Sequence, residues 1–293
     1  MSAWTTLLLA VLCISFGSIF VRMAEAPAFA VSFYRIGLAS LLVAPFGLRP
    51  ALRGWPQLSS RQRLALVGSG VALALHFATW ITSLSYTSIA ASVLLVNLAP
   101  LFTLVLSWTL LGEKPTARLL GAAALALVGA ALIASSDWTG GGRAPLFGDA
   151  LALLGAAALS VYHVIGRGLR AALPLVAYVQ AVWTTAAICL AGLLVATGVP
   201  LWPYPSRTLL CFAALALVPT VAGHGLVNRS LRLLPAPVVG LSLLGEPVGA
   251  TILGYFFFGE VPSRLTLLGG VVVLLALVWL VTSGDEKPAR RPA

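Results

Sequence analysis

The chain has 293 residues, 60% of them hydrophobic and only 9% charged, with 18 Lys+Arg against 8 Asp+Glu and a formal net charge of +10. A soluble domain carries about 25% charged residues, and here the basic residues sit in short clusters between long apolar runs. A soluble enzyme, a nucleic-acid-binding module and a disordered chain are therefore excluded, and the composition is that of an all-α polytopic membrane protein.

Apolar runs occur, in chain order, at 4–22, 28–48, 62–82, 87–111, 116–135, 147–167, 173–197, 208–228, 235–258 and 263–282. Each approaches the roughly 20 residues that cross a hydrocarbon core as a helix, and none alternates as a barrel strand would. The first has no basic segment before it and no small-residue cleavage site after it, so it is expected to be a true span rather than a removed leader. With the N-terminus in the cytoplasm, Arg49, Arg53, Arg61, Arg63, Lys114, Arg118, Arg167, Arg170, Arg229, Arg232, Lys287, Arg290 and Arg291 fall inside, and only Arg22, Arg143, Arg207 and Arg264 outside. That asymmetry predicts cytoplasmic N- and C-termini. Trp4, Trp108, Trp138, Trp202 and Trp279 fall near span ends, whereas Trp80 and Trp183 lie within spans. Cys13, Cys189 and Cys211 sit in apolar runs without metal-ligand spacing and are expected to be packing residues. The spacing Ala122, Ala126, Ala130 predicts close helix packing, with a dimer contact as the alternative.

The chain repeats itself. Pro100 and Pro247 lie 147 residues apart, and the same offset relates Leu106 to Leu253, Gly112 to Gly259, Glu113 to Glu260, Pro115 to Pro262 and Leu120 to Leu267. The expected units are 1–136 and 137–284, followed by a cytoplasmic tail at 285–293. Five helices per unit is an odd number, so the second unit enters the membrane from the opposite side. The fold expected is thus ten transmembrane helices in two inverted-topology repeats, with a substrate site near the midplane between them.

Three segments carry a family resemblance: SYTSIAASVLLVNLAPLFTLVLSWTLLGEKPTARLLGAAALALVGAALI at 85–133, GEPVGATILGYFFFGEVPSRLTLLGG at 245–270, and SIFVRMAEAPAFAVSFYRIGLAS at 18–40. With these the chain resembles the EamA-type transporters of the drug/metabolite transporter superfamily, and most closely the bacterial aromatic amino-acid exporters of the YddG type. The resemblance implies a bacterial inner-membrane exporter of small metabolites. Threonine, homoserine, cysteine metabolites and cationic drugs are the alternative cargoes. The small multidrug branch carries an essential acid in its first helix. Here that helix has none before Glu25, which argues against that branch's cation/proton exchange.

Polar groups inside a span are costly unless they face a cavity or each other. His76, Thr79, Trp80 and Ser83 follow one helical face, and imidazole, hydroxyl and indole together suit an amphipathic ligand. Thr220, His224 and Asn228 form a second stripe, and the repeat places His76 within one residue of His224. His163 lies one turn before Arg167, and Asn97 one turn before Pro100. Glu246 is the one acid well inside a run, and it precedes Pro247 within Gly245-Glu-Pro-Val-Gly249. The substrate-cavity candidates are therefore His76, Thr79, Trp80, Asn97, His163, His224, Asn228 and Glu246. The plain alternatives are Trp80 as an outer-interface anchor, His76 bonded to a neighbouring carbonyl, His224 as a packing histidine, His163 at the inner interface and Glu246 in a structural pair with a neighbouring donor. Pro100 and Pro247 leave carbonyls without donors and are candidate hinges. Arg35 could snorkel outward, cap a carbonyl or balance an acid, and Gln180 with Thr184 is a weaker pair. Glu113 and Glu260, at loop turns, are expected to satisfy backbone donors at a helix start.

No phosphate-binding loop, H-E-x-x-H, C-x-x-C or G-x-S-x-G occurs, so neither ATP-driven transport nor an enzyme is expected, and no cofactor or metal. The glycine run at 140–142 is expected to be a flexible external turn. The reading is a monomeric secondary transporter exporting amphipathic metabolites, aromatic amino acids first, by alternating access. Its partners are a small-molecule substrate, the lipid bilayer and protons as a candidate coupling ion; nucleic acid is not one. The rival is a passive channel.

Overall fold

The computed structural model describes residues 2–87, 92, 95–135, 144–170, 173–259 and 263–282. Glu260, Trp138, the glycine run at 140–142, Arg143 and the tail 285–293 lie outside the described residues. The described part is helical throughout, without a strand.

The first five helices are α1 (Ala3–Ala24), α2 (Ala28–Gly54), α3 (Ser60–Ser83), α4 (Ala99–Leu111) and α5 (Ala117–Ser135). The last five are α6 (Pro145–Arg170), α7 (Leu175–Thr197), α8 (Ser206–Ser230), α9 (Ala236–Phe258) and α10 (Arg264–Thr282). Seven of them are long and apolar enough to cross a membrane, namely α1, α2, α3, α6, α7, α8 and α9, while α4, α5 and α10 provide shorter apolar stretches. Helix α2 runs several residues past its predicted end, through Pro45 and Pro50.

Local chemistry sets the ends. Ser59 and Gln62 form a capping box that starts α3, with Gln62 N donating to Ser59 Oγ and Ser59 N to Gln62 Oε1. Gly112 and Gly259, repeat mates, close α4 and α9 in the left-handed region at φ 69° and 67°, where a Cβ would be strained.

Both helices that carry the repeated prolines are interrupted just before them. Asn97 and Leu98 form a turn ahead of α4, and Leu243–Gly245 tightens into a 3-10 turn inside α9. A third interruption was not foreseen. Around Pro219, α8 loosens into a π-helical stretch, Ala216–His224. Pro219 has no N–H for the Leu215 carbonyl, and Thr220 Oγ1 donates to that carbonyl at 2.8 Å instead.

The helices of the two halves interlock. α2 packs along α7, α5 along α10, and α4 meets α9. α3 lies on α6 as α1 lies on α8, α3 touches α7 as α2 touches α8, and α4 touches α6 as α9 touches α1. Exchanging the halves helix for helix maps these principal pairings onto one another, whereas the lesser contacts of α9 with α5, α6 and α10 have no counterpart of the same extent among the described residues. One apolar core, with Phe77, Tyr178, Trp183 and Phe212, joins α2, α3, α6, α7 and α8. A second, with Leu104, Leu119, Leu241 and Val273, joins α4, α5, α9 and α10. Helices α5 and α10 approach closely: a methyl at Gly129 would lie 2.7 Å from the Gly269 carbonyl oxygen. Ala122, Ala126 and Ala130 are buried, as the small-residue spacing predicts.

Candidate functional site: a central cavity

A cavity of about 870 Å³, counting its open mouth, lies where the cores meet. Its wall takes residues from four buried clusters, among them Phe77, Leu244, Ile14 and Val96. The polar part of the wall is Ser18, Arg35, His76, Trp80, Asn97, His163, His224 and Glu246, and the two prolines Pro100 and Pro247 stand beside it.

Helix α3 brings His76 and Trp80 to the wall one turn apart. Their rings stack at 5.9 Å between centroids and 9° between planes. His76 Nδ1–H donates to the Gly155 carbonyl of α6 at 3.0 Å, which in the neutral ring leaves Nε2 as an acceptor. Gly155 permits this approach, because a Cβ there would stand 3.2 Å from that of Trp80. Phe77 meets His76 at 4.8 Å and His224 edge-on at 5.7 Å, so three rings of α3 and α8 form one aromatic surface. Trp80 Nε1, His224 Nδ1 and both ring nitrogens of His163 are buried without a hydrogen-bond partner among the described residues. Buried donors and acceptors of this kind are normally satisfied, so this wall is one that a polar guest or water would complete.

Two sequence candidates do not line the cavity. Thr79 donates to the Leu75 carbonyl at 2.7 Å and packs beside Gly155. Asn228 sits in the core, where Nδ2 donates to the Tyr162 hydroxyl and to the His224 carbonyl, the latter at 2.8 Å. Both share a helical face with a lining residue, yet a face covers a wide arc and the neighbouring helix hides part of it. Gln180 and Thr184 are also removed from the cavity, bonded to Ser40 between α2 and α7.

Arg35 and Phe77 were the residues missed as a pair. Arg35 is 2% exposed, donates from Nε to Thr220 Oγ1 at 2.9 Å, and lies over the Phe77 ring at 4.3 Å. It neither snorkels nor caps a carbonyl. The Thr220 hydroxyl gives its proton to Leu215, so its lone pairs are free for Arg35. The available signal was Pro219, whose missing N–H creates this arrangement.

Two cross-braces hold the interrupted helices. Ser160 of α6 donates to the Ala99 carbonyl at 2.7 Å, and Ser15 of α1 to the Glu246 carbonyl at 3.4 Å. Ala99 and Glu246 are repeat mates, each immediately before its proline. Glu113 lies away from the cavity. It accepts from Arg167 Nε at 2.8 Å and from the Ala236 backbone N–H, at the start of α9, at 3.3 Å. It thus satisfies a helix-start donor as expected, though that helix belongs to the other half. No group of three or more His, Cys, Asp or Glu among the described residues is placed to hold a metal.

Comparison with known proteins places this architecture. The family model described as the EamA-like transporter family matches residues 1–135 and again 146–282. An uncharacterized transporter of Archaeoglobus fulgidus is 26% identical over 89% of both chains. The uncharacterized transporter YwfM of Bacillus subtilis is 28% identical over 72% of this chain and 70% of that protein. A probable terminal-alkyne amino-acid exporter of Streptantibioticus cattleyicolor is 29% identical over 68% and 67%. A solved crystal structure shares the fold over 96% of both chains, with a TM-score of 0.77 at 20% identity. The double match over nearly the whole chain, on an all-helical bundle of apolar spans, shows that this multi-pass membrane protein belongs to the EamA-like transporter family.

Proposed function

We propose that the protein is a ten-helix secondary transporter of a bacterial inner membrane. It exports small amphipathic metabolites, with aromatic amino acids as the leading class, as in the YddG-type exporters it resembles. Both termini are cytoplasmic, and the halves are inverted repeats that rock about the central cavity. The observation that carries this reading is the cavity itself: stacked His76 and Trp80 and the Phe77 ring beside the ionisable groups Arg35, His163, His224 and Glu246, at the junction of both halves. A ring can stack on the aromatic groups while the polar groups orient the remainder of the molecule. The exchange-symmetric pairings of the helices support alternating access, because two like halves can trade conformations. A distant relative named as an amino-acid exporter supports the cargo class. Protons are the candidate coupling ion, through Glu246 and the histidines.

The test is equilibrium binding of labelled tryptophan to purified protein in detergent. Saturable binding that weakens in Trp80→Ala agrees with the proposal. Absence of binding to protein shown to be folded contradicts the aromatic assignment, and threonine, homoserine, cysteine metabolites and cationic drugs then become the cargoes to try.

A further inference from the structure

We infer that Arg35 and Glu246 are the two charge-reading residues of the cavity, Arg35 for an anionic group and Glu246 for a cationic one, so that the cargo is a zwitterion. This rests on the proposed reading of the cavity as the cargo site and specifies which side chains select at it.

Both side chains line the cavity, and no ion pair joins them among the described residues. Arg35 spends only Nε on the protein: the hydrogen bond to Thr220 and the Phe77 ring beneath fix the plane of the guanidinium. Its Nη1 and Nη2 make no hydrogen bond among the described residues, and Arg35 is part of the cavity lining. The two parallel N–H groups of that edge match a carboxylate, which they can bind bidentately. Glu246 lines the same cavity and engages the protein through its backbone carbonyl, held by Ser15; its carboxylate makes no direct hydrogen bond or ion pair among the described residues, and Arg35 is near enough to act on it electrostatically. A buried charge left unpaired is strongly unfavourable, and it is stabilised when an opposite charge arrives with hydrogen bonds.

Opposite charges that line one cavity without direct contact select by pairing. A monovalent anion pairs Arg35 and leaves Glu246 exposed to an added like charge. A monovalent cation does the reverse. A molecule carrying both groups on one end pairs each, and the aromatic wall of His76, Phe77 and Trp80 then takes its apolar part. Thr220 acts through Arg35 and is a positioning residue.

The experiment measures dissociation constants, by ligand-induced thermal shift of the full-length protein, for two triads. One is tryptophan, tryptamine and indole-3-propionate; the other is leucine, isoamylamine and 4-methylpentanoate. Within at least one triad the zwitterion should bind at least about tenfold tighter than either single-charged member, one well-made ionic contact being worth that much. Tightness confined to the leucine triad would remove the aromatic reading and keep the charge-reading one. A single-charged member that binds as tightly as its zwitterion in both triads, or no binding in either, overturns the inference. In Glu246→Gln the zwitterion should lose about tenfold while the anion, relieved of the like charge, binds at least as tightly as to the wild type. In Arg35→Lys, or Thr220→Val if the former fails to fold, the zwitterion should lose affinity while the amine is unchanged. Equal losses for every ligand would mean a merely structural role and would also overturn it.

Discussion

Glu113 and Arg167 are joined at 2.8 Å, and the second oxygen of the same carboxylate takes the backbone N–H of Ala236 at 3.3 Å. Arg167 also donates from Nη1 to the Leu231 carbonyl at 3.0 Å. One carboxylate thereby fastens the α4–α5 turn of the first half to α6 and to the α8–α9 turn of the second. Glu113→Gln should cost about 1–3 kcal/mol, the range for a hydrogen-bonded charge that loses its partner. The check is thermal melting in detergent, with a double-mutant cycle against Arg167→Gln to isolate the pair. A melting point equal to wild type would show that the contact carries no stability.

The interrupted helices make a second prediction. Pro100→Ala and Pro247→Ala return an N–H to helices that now break at Asn97–Leu98 and at Leu243–Gly245. If these breaks are the hinges of rocking halves, maximal transport should fall by about tenfold while substrate affinity stays within about threefold, the split expected of a conformational step. The readout is initial rate against concentration in proteoliposomes. An affinity loss with unchanged maximal rate would make the prolines cargo contacts of the cavity they border and not hinges.

The aromatic wall makes a third. His76 and Trp80 stack on each other and border the cavity; His76 also bonds the Gly155 carbonyl, and Trp80 packs against the small cluster of Val96, Ala99 and Ala156. Trp80→Ala should raise the apparent Km roughly threefold to tenfold, the worth of one aromatic contact. His76→Ala should lower transport as well, with both variants recovered at wild-type yield in size-exclusion chromatography. Unchanged kinetics in both would remove the wall from the cargo path.

Much of this molecule is legible in its sequence, for identifiable reasons. Helix positions follow from apolar runs, because in lipid the backbone has few alternatives to a helix. Pro100 and Pro247 stand out through the repeat, and His76, Trp80, Asn97, His163, His224 and Glu246 through the cost of polarity in a span; all of these border one cavity. Thr79 and Asn228 do not, since spacing along one helix fixes a face but leaves open which part of it a neighbouring helix covers. The role of Arg35 depends on Thr220, 185 residues away. The partner of Glu113 at Ala236 is 123 residues away. No spacing rule within one half reaches across such distances. The π-helical stretch had a visible cause in Pro219, yet its consequence for Arg35 requires knowing that α2 and α8 touch.

Counterflow in proteoliposomes asks whether one cavity is presented in turn to the two sides of the membrane. Vesicles loaded with unlabelled tryptophan are diluted into labelled tryptophan, with and without a pH gradient. Alternating access predicts transient accumulation of label above its external concentration, lost in Trp80→Ala, and a dependence on the pH gradient if protons are coupled. Label that only equilibrates, without overshoot or saturation, in vesicles holding folded protein would contradict alternating access and identify a passive pore.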